Sequence, residues 1–394
     1  MGEDPVILTR DGKGELHAFL NMCRHRGNRI VRADDGNAKN FMCAYHGWTF
    51  SNEGKLVSVP GLQEAYYGEL DVENLGLVEA RLDTYAELIF ATWDETAPSL
   101  EAFLGDARWY MDLKFNRRDC GMQALGPQKW IEPTNWKTPV DNSSDNYHVP
   151  VSHFSATLVQ QRRFSLRRSS PNDGPGMGHQ QLFQSPNRHA FTNGHSMTVR
   201  VLAEDQVTYN RAVDSKSAPF FDEFHKATIA EAEERLGAFR ARKLRLGNHS
   251  LFPNTVLGLR LAFPRGPLFT EFWSFQVYEK DAPAEVIKAT QLDHDQNNGI
   301  SGLNEQDDMD NWAQVTESGL SVTARKYLQD LSMGTGHAKR DPQFPGLVAE
   351  TFTSESNQRN FYMQWQSYMN ATSWAGIPIE PMTANFEGRA TMKD

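Results

Sequence analysis

Apolar and polar residues alternate along the first hundred positions in short runs broken by turn residues. Residues 5–10 (PVILTR) and 16–21 (LHAFLN) flank the turn DGKGE. Residues 40–50 (NFMCAYHGWTF) and 55–61 (KLVSVPG) flank SNEG, and residues 76–82 (GLVEARL) and 85–93 (YAELIFATW) flank Asp83 and Thr84. Alternation with a period of two, bounded by Gly, Asn and Asp, predicts antiparallel hairpins. The character changes near residue 95. Residues 99–113 (SLEAFLGDARWYMDL) read as a short helix. Residues 219–246 read as a longer one, with Phe221, Phe224, Ile229, Ala232, Leu236 and Phe239 at helical spacing. Strand-like runs at 196–203, 206–213 and 270–280 predict one large antiparallel sheet. Residues 170–179 (SPNDGPGMGH) read as a loop and 356–374 as a helix. The expected fold class is therefore α+β, with a small all-β domain over residues 1–115 and a larger α+β domain over 116–394.

Composition narrows the functional classes. The 394 residues carry a formal net charge of -10, which argues against nucleic acid as a partner. No apolar run approaches the ~20 residues that span a bilayer. The start, MGEDPVILTRDGKG, lacks the basic and apolar regions of a secretory signal. Three cysteines make no disulfide framework, so a reducing cytoplasm is expected, with Cys120 a structural cysteine. The sequons at Asn142, Asn248 and Asn370 then read as chance matches.

Two constellations carry chemistry. In CRHRGNRIVRADDGNAKNFMCAYH, Cys23 is followed by His25 and Cys43 by His46, with seventeen residues between His25 and Cys43. Structural zinc accepts two thiolates and two imidazoles, but usually groups like with like. A Rieske [2Fe–2S] centre explains the mixture better: two thiolates hold one iron and two imidazoles the other, which raises the potential. Gly27 and Gly47 lie where backbone N–H groups can approach cluster sulfurs, and Trp48 where it can exclude water. Downstream, DNSSDNYHVPVSH holds His148 and His153 five apart. On an ideal helix that is about 140° of rotation, so the segment must be irregular, as Pro150 also suggests. Two imidazoles and a carboxylate would make the facial triad of non-haem Fe(II). Spacing alone does not choose the carboxylate among Asp307, Asp308 and Asp310, and an acidic run such as LNEQDDMDNW reads equally as a solvated turn.

The stretches CRHRGNRI, FMCAYHGWTF and GKLVSVP, with D-x-Y-H-x4-H and EQDD…NW behind them, resemble the large (α) subunit of the aromatic-ring-hydroxylating Rieske oxygenases. The resemblance covers nearly the whole chain. It implies a Rieske domain followed by a helix-grip catalytic domain. It implies Cys23, His25, Cys43 and His46 as cluster ligands, and His148, His153 and Asp308 as ligands of a mononuclear Fe(II). It gives Asp145 the part of a bridge between His46 of one subunit and His148 of the next, hence a cyclic trimer, α3 or α3β3 with a small β subunit. Electrons come from NAD(P)H through a ferredoxin reductase and a ferredoxin, and dioxygen is the co-substrate in cis-dihydroxylation of a small arene. A monooxygenase or demethylase of the same superfamily, a Rieske electron carrier and a zinc-stabilised binding module are the competing readings. Relatives usually carry a few dozen residues before the segment like MGEDPVILTR, so the Rieske domain is expected to be shortened. Asn142, Val149 and Asn248 align loosely with a substrate pocket, and Asn298 and Asn304 are expected to make it polar. Arg260, in the apolar run VLGLRLAF, is either a surface arginine or the anchor of a substrate carboxylate, the second favouring a phthalate- or benzoate-like acid.

Overall fold

The computed structural model of the chain describes residues 1–156, 158–159, 187–202, 217–256 and 258–378. The expected loop at 170–179 and strand at 206–213 lie outside these residues. The chain divides into two units, Met1–Leu100 and Glu101–Asp394.

The first unit is all-β, as the alternation predicts. Strands β1 (Val6–Arg10) and β2 (Leu16–Leu20) pair from Val6 with Leu20 to Arg10 with Leu16. They continue into β6 (Glu79–Tyr85) and β7 (Leu88–Thr92) as one four-stranded sheet. The β6–β7 turn falls at Ala86 and Glu87, both at positive φ, three residues beyond the expected Asp83–Thr84. Residues 40–50 are not one strand. They form β3 (Asn40–Met42) and β4 (Thr49–Ser51) with the second Cys/His loop between them, and β5 (Leu56–Ser58) completes a three-stranded sheet. Ile7, Phe19, Cys23, Ile30, Cys43, Trp48, Phe50, Leu56, Val59 and Leu77 share one core, so both thiols are core residues. Gly54, in the β4–β5 turn, has φ +82, and a Cβ there would meet Phe19 Cε1 at 2.5 Å. Gly54→Ala is expected to cost about 2–3 kcal/mol, from strain and overpacking together. A thermal midpoint equal to that of the wild type, by circular dichroism, would contradict this.

The second unit is built on a nine-stranded antiparallel sheet in the order β15-β16-β9-β10-β11-β12-β13-β14-β8. Its strands are β8 (Met122–Glu132), β9 (Asn187–Thr192), β10 (His195–Val201), β11 (Leu244–Leu251), β12 (Thr255–Val256), β13 (Leu259–Pro264), β14 (Thr270–Glu279), β15 (Lys339–Asp341) and β16 (Phe344–Ala349). The expected helix at 99–113 is two helices, Leu100–Leu104 and Ala107–Phe115. Gly105 breaks it at φ +47, where a Cβ would lie 2.8 Å from Asn193 Nδ2. The second of these helices buries Ala107, Tyr110, Met111, Leu113 and Phe115, and Tyr110 donates its hydroxyl to the Pro345 carbonyl at 2.7 Å. That packing puts the division after Leu100 rather than near residue 115. The expected helix at 219–246 ends at Leu236, because Gly237 leaves helical geometry at φ 81, ψ 152. A single π-turn, Phe239–Lys243, then leads straight into β11.

Helices Lys137–Asn142, Leu303–Gly319 and Ser356–Asn370 carry or support the second constellation. The acidic run at 303–315, readable as a solvated turn, is instead the greater part of a helix burying Glu305, Asp308 and Trp312 on one face. Among the described residues, no helix is long and apolar enough to cross a membrane.

Candidate metal centres

The two Cys/His stretches fold into matched loops. The Cys23 N–H donates to the Asn28 carbonyl and the Cys43 N–H to the Trp48 carbonyl, both at 2.8 Å. The Gly27 N–H donates to the Cys23 carbonyl and the Gly47 N–H to the Cys43 carbonyl, both at 2.9 Å. Gly27 and Gly47 have φ of 74° and 76°, a conformation that glycine adopts without strain. Their N–H groups close the loops rather than meeting the sulfurs. Contacts to sulfur come from the loop residues behind each cysteine, and Asn28 Nδ2 points at Cys43 Sγ from 3.5 Å. The shared Cys-x3-Gly spacing was the available sign of this symmetry, hidden by the unequal Cys–His spacings.

The thiols are buried, Cys23 at 2% and Cys43 at 1% exposure, while both imidazoles are partly exposed. The His25 and His46 rings lie 4.6 Å apart between centroids. Trp48 stacks on His25 at 5.0 Å, filling the screening place expected of it, and Tyr45 lies 3.7 Å from His46. Burial pushes the Cys23 thiol up. Burial acts the same way on Cys43, but the Tyr45 N–H and the Asn28 amide outweigh it and hold that thiol below its ordinary value. His25 Nδ1 is buried with no hydrogen-bond partner. A buried nitrogen left unpaired is costly, and a metal bond would satisfy it, so these four residues fit a Rieske cluster.

In the larger unit, His148 and His153 flank a single helical turn, Val149–Ser152, with Pro150 inside it. His148 immediately precedes the turn and His153 ends it at φ -99, ψ 26, so the segment is irregular as five-residue spacing requires. Their rings are 5.4 Å apart. His148 Nδ1 donates to Asp145 Oδ1 at 2.7 Å, and His153 Nδ1 to Asp307 Oδ2 at 3.2 Å. Each Nε2 then faces Asp308, whose Oδ1 lies 3.3 Å from His153 and 3.8 Å from His148. One ligand atom from each of the three residues falls within 4.8 Å of the others. The three acidic candidates thus separate by geometry: Asp308 faces both imidazoles, Asp307 orients one, and Asp310 is exposed. Asp308 Oδ1 is buried without a hydrogen-bond partner, as a metal-ligating oxygen would be. For His148, burial opposes protonation, but the Asp145 carboxylate outweighs it and raises the imidazole pKa.

Asp145 is itself held on all sides. Its Oδ1 also accepts the His148 N–H at 3.2 Å, its Oδ2 accepts Gln358 Nε2 at 3.0 Å, and its carbonyl accepts Asn248 Nδ2 at 2.6 Å. Asn248, expected at the substrate, has its amide engaged here. Burial pushes the nearby Asp141 carboxyl up to about 7, although the Tyr362 hydroxyl partly stabilises its charge. Asn142 ends the helix Lys137–Asn142, and Val149 opens the turn between the two histidines. The surface reading of Arg260 fails: it is 2% exposed, with Nη1 on Glu305 and Nη2 on the Asn298 carbonyl, each at 2.7 Å, and Nε buried without a hydrogen-bond partner. Cys120 sits 3.3 Å from Asp281 Oδ1.

A small all-β unit with paired thiols and imidazoles, followed by a sheet-and-helix unit with a two-histidine, one-carboxylate site, defines a Rieske non-haem iron oxygenase. The model of the Rieske [2Fe-2S] domain matches residues 1–84, and that of the ring hydroxylating alpha subunit (catalytic domain) matches residues 100–371. The chain is 34% identical over 389 residues to the biphenyl 2,3-dioxygenase subunit alpha of Rhodococcus jostii, covering 96% of this chain and 81% of that one. It is 33% identical to a benzene 1,2-dioxygenase subunit alpha of Pseudomonas putida, covering 96% and 83%. A naphthalene 1,2-dioxygenase with indole bound in its active site superposes with a TM-score of 0.84 at 30% identity, covering 95% and 83%. The chain belongs to the ring-hydroxylating dioxygenase alpha-subunit family. It is an oxidoreductase that incorporates dioxygen, with a Rieske cluster and a mononuclear iron as cofactors, and it works with electron-transfer partners as part of an oligomer.

Proposed function

We propose that the chain cis-dihydroxylates a neutral mono- or bicyclic arene. His148, His153 and Asp308 hold the mononuclear iron, and Cys23, Cys43, His25 and His46 hold the cluster, thiolates on one iron and imidazoles on the other. When bound, the mononuclear iron supplies dioxygen activation and the cluster stores one electron at a time. The chain's own residues supply orientation. Asp145 and Asp307 each take an Nδ1–H, which leaves Nε2 of both imidazoles free for the metal. The observation that carries the reading is the convergence of the three ligand atoms on a buried, unpartnered Asp308 oxygen.

Support for a neutral substrate comes from Arg260. Its Nη1 is already paired with Glu305 and its Nη2 with the Asn298 carbonyl, so neither end of the fork is left for a substrate carboxylate. The named relatives are dioxygenases of biphenyl and benzene. The phthalate- or benzoate-like acid is therefore set aside in favour of a neutral arene. The electrons start from NAD(P)H and arrive through a reductase and a ferredoxin. The assembly is a cyclic trimer, α3 or α3β3, in which His46 of one subunit reaches the iron of the next through Asp145.

The test is product analysis. The purified protein, a surrogate reductase and ferredoxin, and 18O-labelled dioxygen are supplied with benzene, biphenyl, naphthalene, benzoate or phthalate. A cis-dihydrodiol carrying two labelled oxygens is expected from at least one neutral arene. Turnover of the acids alone would overturn the substrate class. Products with a single labelled oxygen would favour the monooxygenase reading.

A further inference from the structure

Arg260, expected with Asn298 beside the substrate, binds both the Asn298 carbonyl and Glu305 at one end of the helix that carries Asp308. Arg260 Nη1 donates to Glu305 Oε1 and Nη2 to the Asn298 carbonyl, each at 2.7 Å. Both side chains of the ion pair are 2% exposed. Asn298 caps the end of the helix Ala284–Asn297, and Glu305 lies in the first turn of Leu303–Gly319. One guanidinium on β13 therefore grips the end of one helix and the start of the next. The turn between them is closed tightly: a Cβ on Gly302 would lie 2.5 Å from the Asn297 backbone.

Glu305, Asp308 and Trp312 follow one another on the buried face of that helix. Trp312 packs on Phe272 at 5.7 Å between rings, and Phe272 stacks on Trp130 at 5.1 Å. The Arg260 guanidinium lies 5.4 Å from the Trp130 ring. Trp312 is held by ring packing and, at its carbonyl, by the Thr134 hydroxyl at 3.1 Å, which fixes the helix beyond Asp308 but not its first turn. In that first turn Glu305 is held by a directional bond. A shift of one residue along a helix moves a side chain by about 1.5 Å and turns it by about 100°. Either displacement would take Asp308 away from the two Nε2 atoms it now faces.

The ion pair is not needed for stability alone. Desolvating two charges offsets most of their attraction, and an apolar pair of similar volume often serves as well or better. What the apolar pair lacks is direction. We propose that Arg260 and Glu305 are positioning residues that set the register of Asp308 in the mononuclear iron site. This rests on reading His148, His153 and Asp308 as the iron ligands.

The test is ferrous iron affinity at the mononuclear site, measured by chelator competition on the full cluster-loaded chain, together with the thermal midpoint. Arg260→Met combined with Glu305→Leu removes both charges at similar volume. The pair is expected to keep the wild-type midpoint or exceed it, while iron affinity falls about 10- to 100-fold. Affinity within about twofold of wild type at that midpoint overturns the proposal. Should the double variant not fold, Arg260→Lys decides, because it keeps the charge but loses the fork that grips Glu305 and the Asn298 carbonyl together. Weakening by about threefold or more supports the clamp, and less overturns it. Asp308→Ala in the same assay separates the two ideas. If it leaves affinity intact, the ligand reading has failed. If it abolishes binding while the clamp variants bind normally, only the clamp has failed.

Discussion

Asp308→Ala is expected to lower iron content from about three to about two per chain and to end turnover, while the Rieske visible spectrum stays unchanged. Orienting partners of metal ligands are each worth about 10- to 100-fold in affinity, so loss of a direct ligand should exceed about 100-fold. The remaining pair, His148 and His153, lies on one short turn and offers two nitrogens with no charge to neutralise the metal. The effect on stability has the opposite sign. Without metal, Asp308 Oδ1 is a buried oxygen with no hydrogen-bond partner, an arrangement that costs about 1–3 kcal/mol. Metal-free Asp308→Ala should therefore melt at or above metal-free wild type. A large drop in the metal-free midpoint would mean that Asp308 holds the fold rather than the metal. Retention of the third iron would mean that the carboxylate ligand lies elsewhere.

How much of this was legible beforehand depended on whether the signal was local. The meeting of the two Cys/His stretches was, because paired Cys and His residues on short loops leave few alternatives. The irregularity around Pro150 was too, because five-residue spacing cannot face one point on an ideal helix. Helix ends were less legible. Gly105 and Gly237 were visible as glycines, but the apolar periodicity ran through both, and only packing against Asn193 makes the first unavoidable. The Glu305–Trp312 face was left open by the residues alone, because its helix is polar on most sides and buries two carboxylates. Burying carboxylates needs partners, and the partner of Glu305 is Arg260, forty-five positions away on the strand β13. An arginine inside an apolar run and an acid inside a polar run each look anomalous alone, and each explains the other. The roles of Asp307 and Asp308 likewise separate only in three dimensions. They are adjacent on a helix and so point in different directions, one to His153 Nδ1 and one between the Nε2 atoms.

Asp145→Asn is expected to leave both metal centres filled and to cut turnover by about 100-fold or more. The substitution keeps size and one acceptor oxygen. With that oxygen toward His148, the imidazole keeps its Nδ1–H bond and its metal-ready Nε2, so iron should stay. The new amide N–H groups then face Gln358 Nε2, a donor, where Oδ2 accepted before. Gln358 resists turning round, because the same Nε2 also donates to the Asp141 carbonyl at 3.3 Å. The site thus loses the charge that supports His148 and gains a donor–donor conflict. Reoxidation of the reduced cluster in a single turnover should slow in proportion to turnover, with KM little changed. Hybrid trimers locate the electron path. Chains carrying Asp145→Asn have a sound cluster, and chains carrying Cys43→Ala have a sound iron site. If electrons stay within a chain, a mixture of the two is as inactive as either alone. If they cross a head-to-tail interface, about one interface in four pairs a sound cluster with a sound Asp145, and the mixture recovers activity to that extent.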